Sequence, residues 1–276
     1  MPWCYTAAAL NILQAAVLGL VQGITEFLPI SSTAHLRLVP ALLGWPDGGA
    51  AFAAVIQLGT LLAVIGFFLR DLLRMIAAAA RPATRKDHDA RMLLYIVAGT
   101  VPIGVVGLLA RNAIEGPLRS ILVIASSLIV VGIVMAIVEK TARHERILEA
   151  FTLRDALIVG MAQALALVPG TSRSGITLVA AMILGFRRDA AARFSFLLSI
   201  PAVAAAGVFE LPKLLHDREV GATALVTGLL VAAVSGYLCV AWLLRFFRTR
   251  TTYGFVVYRV ILGLALFAAV LGGMNH

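Results

Sequence analysis

The chain has 276 residues, 61% hydrophobic and only 13% charged, a balance that excludes an ordinary water-soluble enzyme. About 20 apolar residues suffice for one bilayer crossing, and runs of that length recur along the sequence. The formal charge of +9 would suggest nucleic acid as a partner of a soluble chain, but here the basic residues sit in short connections between apolar runs, so they report on membrane topology and no nucleic acid is expected.

In chain order, Met1 to Thr6 carries no Lys or Arg, so the N-terminus reads as retained rather than as a cleaved signal. Leu10 to Gly44 is apolar but broken at Pro29-Ile30-Ser31-Ser32. Apolar runs follow at Ala51 to Leu69, Met92 to Ala110 and Ile121 to Val138. A second broken segment, interrupted at Pro169-Gly170, precedes the runs Ala190 to Phe209, Ala222 to Leu244 and Phe255 to Leu271. The predicted architecture is an all-α polytopic membrane protein, a single integral membrane domain over 1–276. Cys4 and Cys239 provide neither a disulfide framework nor metal-ligand spacing.

The connections at 70–91, 139–154, 187–193 and 243–253 hold 16 Lys/Arg, against 5 in 37–50, 111–119 and 211–221, which assigns the first set to the cytoplasm. Parity then makes each broken segment leave and return on one side, giving two re-entrant helical hairpins that enter from opposite faces. An offset of 141 residues pairs Gly19 with Gly160, Gln22 with Gln163, Ser31 with Ser172 and Thr33 with Ser174. The halves, about 7–138 and 150–273, therefore read as an inverted-topology repeat whose broken helices meet near the membrane centre.

In the first hairpin Gln22 and Glu26 are four apart, on one face of the helix before the break, while Ser32 and His35 lie three apart on the helix after it. A carboxylate and an imidazole inside an apolar hairpin are costly unless a function or a partner retains them; the bland alternative is a capping serine with Glu26 and His35 at the membrane surface. In the second hairpin, Pro169-Gly170-Thr171-Ser172-Arg173-Ser174-Gly175-Ile176-Thr177 sets hydroxyls and one guanidinium at a helix start, where free N–H groups favour an anion. Arg173 reads as a lone buried cation, whose loss should cost catalysis more than stability. Together the two breaks contain the parts for phosphoryl transfer to or from a lipid bearing a phosphate or diphosphate head.

The strings QGITEFLPISSTAH and PGTSRSGIT, about 140 residues apart, closely resemble the two motifs of the undecaprenyl-diphosphate phosphatase family of the bacitracin-resistance type, and the hydrophobic profile matches over nearly the whole chain. The resemblance implies a hydrolase that removes the terminal phosphate of undecaprenyl diphosphate at the outer face of the bacterial plasma (inner) membrane, regenerating the carrier for cell-wall polymers. Carried over by position, it implies catalytic roles for Glu26, Ser32, His35 and Arg173. Ser32 would be the nucleophile, Glu26 or His35 its base, and Arg173 the diphosphate ligand. Gln22, Ser31, Thr33, Gly170, Ser172, Ser174 and Thr177 would contact phosphate or position these groups. It also implies a divalent cation, Mg2+ or Ca2+, with Glu26 as the one strong oxygen ligand. Gln22 stands where many members carry Glu, which weakens that metal site.

Attack by Ser32 and direct attack by an activated water both fit the sequence. A polyprenyl-phosphate flippase or transporter is the competing reading, since inverted repeats with broken helices also serve alternating access. Membrane lipids are expected partners, and a homodimer is left open. Gln57, Gln163 and Ser199 read as hydrogen-bonding or packing groups in the flanking spans. Arg259, near the basic end of the last run, is expected to snorkel to the headgroups, and His88, His144 and His216 to face water.

Overall fold

The computed structural model describes residues 10–46, 49–85, 87–110, 118, 120–217 and 221–272; the side chains of 50, 51 and 209–217 fall outside that description, as do most of the connection 111–119, Cys4 and the His216 ring. Among the described residues the chain is helical with no strand; an isolated bridge joins Arg146 and Phe186. In our numbering the helices are α1 (Ile12–Thr25), α2 (Ser32–Leu43), α3 (Gly49–Phe67), α4 (Leu69–Ala80), α5 (His88–Leu109), α6 (Ile121–Thr141), α7 (Leu153–Ala164), α8 (Arg173–Ile183), α9 (Arg188–Asp217), α10 (Ala222–Phe246) and α11 (Tyr253–Leu271). Five of them, α5, α6, α9, α10 and α11, are long and apolar enough to cross a membrane, and α3 with α4 makes a sixth if the bent pair counts as one span. The chain is a multi-pass membrane protein.

Local chemistry sets where the short helices begin. Asn11 and Gln14 form a reciprocal capping box at the start of α1, and Thr152 with Asp155 forms another at the start of α7. Ser120 caps α6 by accepting from the Val123 N–H at 3.2 Å. The connection expected at 70–91 is a correction: α3 bends by 73° at Phe68 into α4, whose Asp71 pairs with Arg193 of α9 and with Arg74. Charges every few residues hide α4 among the basic connections, yet their spacing leaves Leu69, Leu73 and Ile76 on an exposed apolar side.

The helices pack in two matched sets. α1 lies against α10 and α7 against α5; α3 contacts α10 and α9 contacts α5; α3 and α9 pair with each other, as do α6 and α11. Glycines allow the closest of these approaches. A Cβ at Gly19 would collide with the Gly228 carbonyl, and one at Gly160 with the Gly99 carbonyl. Around this core the spans present bare apolar side chains such as Leu108, Val130, Ile133, Ile261 and Leu264, as a lipid-facing surface requires.

Basic side chains at the helix ends are tied into the fold. The Glu139 carboxylate, 1% exposed at the end of α6, takes Arg188 from α9 and both the N–H and the hydroxyl of Thr252 at the start of α11. Arg146 pairs with Asp155 at 2.6 Å and stacks over the Phe186 ring, which is itself stacked on Phe151. His144, expected in water, is half-buried, its Nε2 donating to the Glu139 carbonyl at 3.3 Å.

Candidate active site

Both helix breaks use the same backbone device. Ser31 (φ 75°, ψ 99°) and Ser172 (φ 69°, ψ 112°) sit at positive φ, a region that costs a non-glycine residue of order 1–3 kcal/mol. Each side chain compensates by capping the helix it opens: Ser31 Oγ accepts from the Ala34 N–H at 3.4 Å, and Ser172 Oγ from the Gly175 N–H at 3.2 Å. The N–H groups of Ser32 and Thr33, and those of Arg173 and Ser174, have no acceptor among the described residues. Two helix N-termini thus offer free donors and the positive ends of their dipoles.

The breaks touch. Ser174 Oγ of the second donates to the Leu28 carbonyl of the first at 3.1 Å, and a Cβ at Gly175 would rest 3.5 Å from Pro29. Phe27, buried edge-on against Phe196 of α9, anchors the first break in the core. Its neighbour Glu26 thereby turns its carboxylate towards the second break.

Glu26 is the hub. Its carboxylate, 5% exposed, accepts from Arg173 Nη2 at 2.6 Å on Oε1, and from Ser32 Oγ at 2.7 Å and Gln22 Nε2 at 2.9 Å on Oε2. Three donors, one of them charged, converge on this one buried carboxylate. Arg173 is therefore not the lone cation expected: it is paired, and removing it would strand a buried carboxylate. Its Nε and Nη1 make no bond to the described residues. Arg173, with 14% of its side chain exposed, and the half-buried Ser32 are the open members of the group.

His35 faces the other way. Its Nδ1 donates to the Ser31 carbonyl at 2.7 Å, so Nε2 is the accepting nitrogen and takes the Tyr258 hydroxyl at 2.5 Å. Among the described residues it makes no bond to Ser32, whose hydroxyl has Glu26 as its partner. Thr177, fully buried, donates to the Arg173 carbonyl or shares its proton with Ser195 Oγ at 2.6 Å, which fixes the first turn of α8. Gly170, at φ 90°, fits closely over the Ile124 carbonyl where a Cβ would clash. Thr33 is exposed, and its hydroxyl makes no bond to the cluster.

Two residues that the sequence left out of the site hold it together. Arg259 does not snorkel: it is 0% exposed, and its guanidinium donates to the carbonyls of Pro29 (3.0 Å), Gly170 (3.0 Å), Thr171 (3.1 Å), Ser127 (3.2 Å) and Leu128 (3.2 Å). One side chain so satisfies backbone oxygens in both breaks and in α6, groups that have no water to turn to. Tyr258, beside it in α11, stacks on His35 with ring planes 11° apart. The available signal was that an arginine well inside an apolar run is a functional candidate by default.

A resident divalent cation does not fit these donors. Both Glu26 oxygens are already taken, one by a guanidinium, and no group of three or more His, Cys, Asp or Glu suited to a metal occurs among the described residues. Gln22 Oε1 is buried without a partner, but a neutral amide oxygen and one already engaged carboxylate fall short of the six to eight oxygens Ca2+ takes or the roughly six of Mg2+.

The comparisons with known proteins agree on one family. The family model described as bacitracin resistance protein BacA matches residues 15–265. The undecaprenyl-diphosphatase of Myxococcus xanthus is 52% identical over 262 residues, covering 93% of this chain and 88% of the relative. Undecaprenyl-diphosphatase 2 of Frankia casuarinae is 47% identical over 281 residues, with 96% of each chain covered, and the undecaprenyl-diphosphatase of a Nostoc species is 47% identical over 274 residues, covering 96% of this chain and 86% of the relative.

Proposed function

Since the chain belongs to the bacitracin resistance protein BacA family, we propose that it is an undecaprenyl-diphosphate phosphatase, which hydrolyses undecaprenyl diphosphate to undecaprenyl phosphate and inorganic phosphate and so recycles the lipid carrier of cell-wall synthesis. The observation that carries the chemistry is the Glu26 carboxylate, hydrogen-bonded at once to a serine hydroxyl and to an arginine from the other break.

The free N–H groups of Ser32, Thr33, Arg173 and Ser174, with Nε and Nη1 of Arg173, receive the diphosphate oxygens. Glu26 Oε2 takes the proton of Ser32 as Oγ attacks the terminal phosphorus, the bond from that phosphorus to the bridging oxygen breaks, and undecaprenyl phosphate leaves. Water then cleaves the phosphoserine, with Glu26 returning the proton to Oγ. The same carboxylate can instead activate water directly. His35 keeps the break in shape through the Ser31 carbonyl rather than serving as the base for Ser32. Mg2+ or Ca2+, where the reaction uses one, would arrive with the substrate rather than from a site on the protein.

The fold is read as an inverted-topology repeat with two re-entrant hairpins. What supports it is the matched packing of α1 on α10 and α7 on α5, each through a glycine pair, together with the like conformations of Ser31 and Ser172, 141 residues apart. Access from the outer face of the bacterial inner membrane belongs to the same reading.

The test is phosphate release from undecaprenyl diphosphate by the purified full chain, with Ser32→Ala alongside. Loss of activity by about a hundredfold or more supports serine attack, given what a positioned nucleophile and its base contribute. Full activity in Ser32→Ala leaves only the water route, and no release by the unaltered chain refutes the hydrolase. Sealed vesicles with substrate in one leaflet decide the accessible face.

A further inference from the structure

We propose that a second anion site lies at the basic end of the molecule, apart from the diphosphate site: a pocket for a phosphate group, carried either by the headgroup of an anionic phospholipid or by free phosphate. The pocket is a cavity of about 260 Å³ between the segment after α6, the start of α9 and the turn after α10, lined by His144, Arg187, Arg188, Asp189, Phe247 and Arg248.

Its walls are built, not draped. The N–H groups of Glu145 and Arg146 both donate to the Gly185 carbonyl at 2.9 Å, and the Arg187 N–H returns to the Arg146 carbonyl at 2.9 Å. Arg188 is fixed by Glu139, and Phe247 is buried. His144 sits on this frame at φ 52°, a strained conformation for a non-glycine residue, and its Nδ1 is buried without a partner.

The donors fit a tetrahedral oxyanion. Arg187 spends Nε and Nη2 on Asp189, and Arg188 spends Nε and Nη2 on Glu139, which leaves Nη1 of each. The Arg248 guanidinium has no partner among the described residues. Three arginines against the single carboxylate of Asp189 keep the lining positive even with the other ion pairs made. On α10 just before this turn, Trp242 stacks on Phe246 with centroids 5.0 Å apart and remains half-exposed, the kind of aromatic pair that marks the level of the headgroups. Basic pockets between spans at this level take lipid phosphates.

The experiment uses the full chain in detergent, stripped of lipid. Retention of phosphatidylglycerol and phosphatidylcholine is measured by native mass spectrometry, and binding of inorganic phosphate by its protection against thermal unfolding. Arg248→Gln is the main variant, because that side chain is exposed and unpaired and its loss leaves the fold and phosphate release at the active site unchanged; Arg187→Gln is the second. The expected result is preferential retention of phosphatidylglycerol, reduced about fivefold by each variant, as befits one arginine near a membrane surface. Protection by inorganic phosphate that Arg248→Gln abolishes, without a lipid preference, upholds the site and assigns it to the free anion. Equal retention of the two lipids with no phosphate protection overturns the proposal, as does a phosphatidylglycerol preference that both variants leave intact.

Discussion

The two breaks share a backbone geometry and divide the chemistry between them. Ser31 and Ser172 have nearly the same φ and ψ and cap the following helix in the same way. Yet 141 residues beyond Glu26 stands Leu167, and beyond His35 stands Ile176. The consequence is visible at Gln163, which is as fully buried as Gln22. Gln22 donates to Glu26, whereas Gln163 has neither amide atom bonded. The first break holds the carboxylate and the hydroxyl, and the second lends a cation and free N–H groups. The proposed reaction centre therefore draws on two breaks that are alike in backbone shape and unlike in side chains.

That division can be broken or sharpened by substitution. Glu26→Gln should have the largest effect, removing the base at Ser32 and lowering phosphate release by roughly 10²–10⁴ at an unchanged substrate pose; near-normal turnover would dismiss Glu26 as the hub. Arg173→Ala should cost of order 10²–10³ in kcat and also about 3–5 kcal/mol of stability, because the Glu26 carboxylate is left buried and unpaired. Arg173→Lys separates the two effects, keeping the melting temperature while losing the fork that faces the anion. Arg259→Met should lower thermal stability by roughly 1–3 kcal/mol for each break carbonyl it leaves dry, with activity falling as the breaks drift apart. Tyr258→Phe should reduce kcat only several-fold, and a double-mutant cycle with His35→Gln should show coupling of about 0.5–3 kcal/mol; strictly additive effects would dissociate the pair. The smallest effect belongs to Gln163→Met, expected to be neutral or mildly stabilising in thermal melts, since it removes an unsatisfied buried amide. If Gln163→Met crippled activity as a change at Gln22 should, the two breaks would not be dividing the chemistry as described.

Much of this was legible in the sequence. Proline close to glycine or to helix-capping serines marked both breaks, whereas the lone prolines Pro40 and Pro102 sit inside helices, and apolar length marked the spans. The meeting of Arg173 with Glu26 followed from pairing two polar interruptions of a membrane chain. What escaped was set by direction rather than composition. Spacing along a chain does not say which way Arg259 turns, and its closeness to the basic turn at 243–253 favoured an outward reading over five carbonyls in the interior. The base for Ser32 was likewise undecided, since Glu26 six residues before it and His35 three after it are both within reach on paper. The Tyr258 hydroxyl occupies the imidazole Nε2, while the Ser32 hydroxyl is bonded to Glu26, and the proposed role of Glu26 as base rests on that difference. α4 escaped because its charges resemble those of a loop, although Asp71 and Arg193 are what seat it.

Arg259 has a consequence for motion. A machine that carries a lipid across the bilayer by rocking one half against the other must open a seam between them, and here that seam is sewn by one planar cation. Each rocking cycle would have to pull bonds to Pro29 on one side or to Gly170 and Thr171 on the other out of a place where water cannot replace them, at about 1.5–3 kcal/mol apiece. A stiff vise suits a catalyst that works on a headgroup held still.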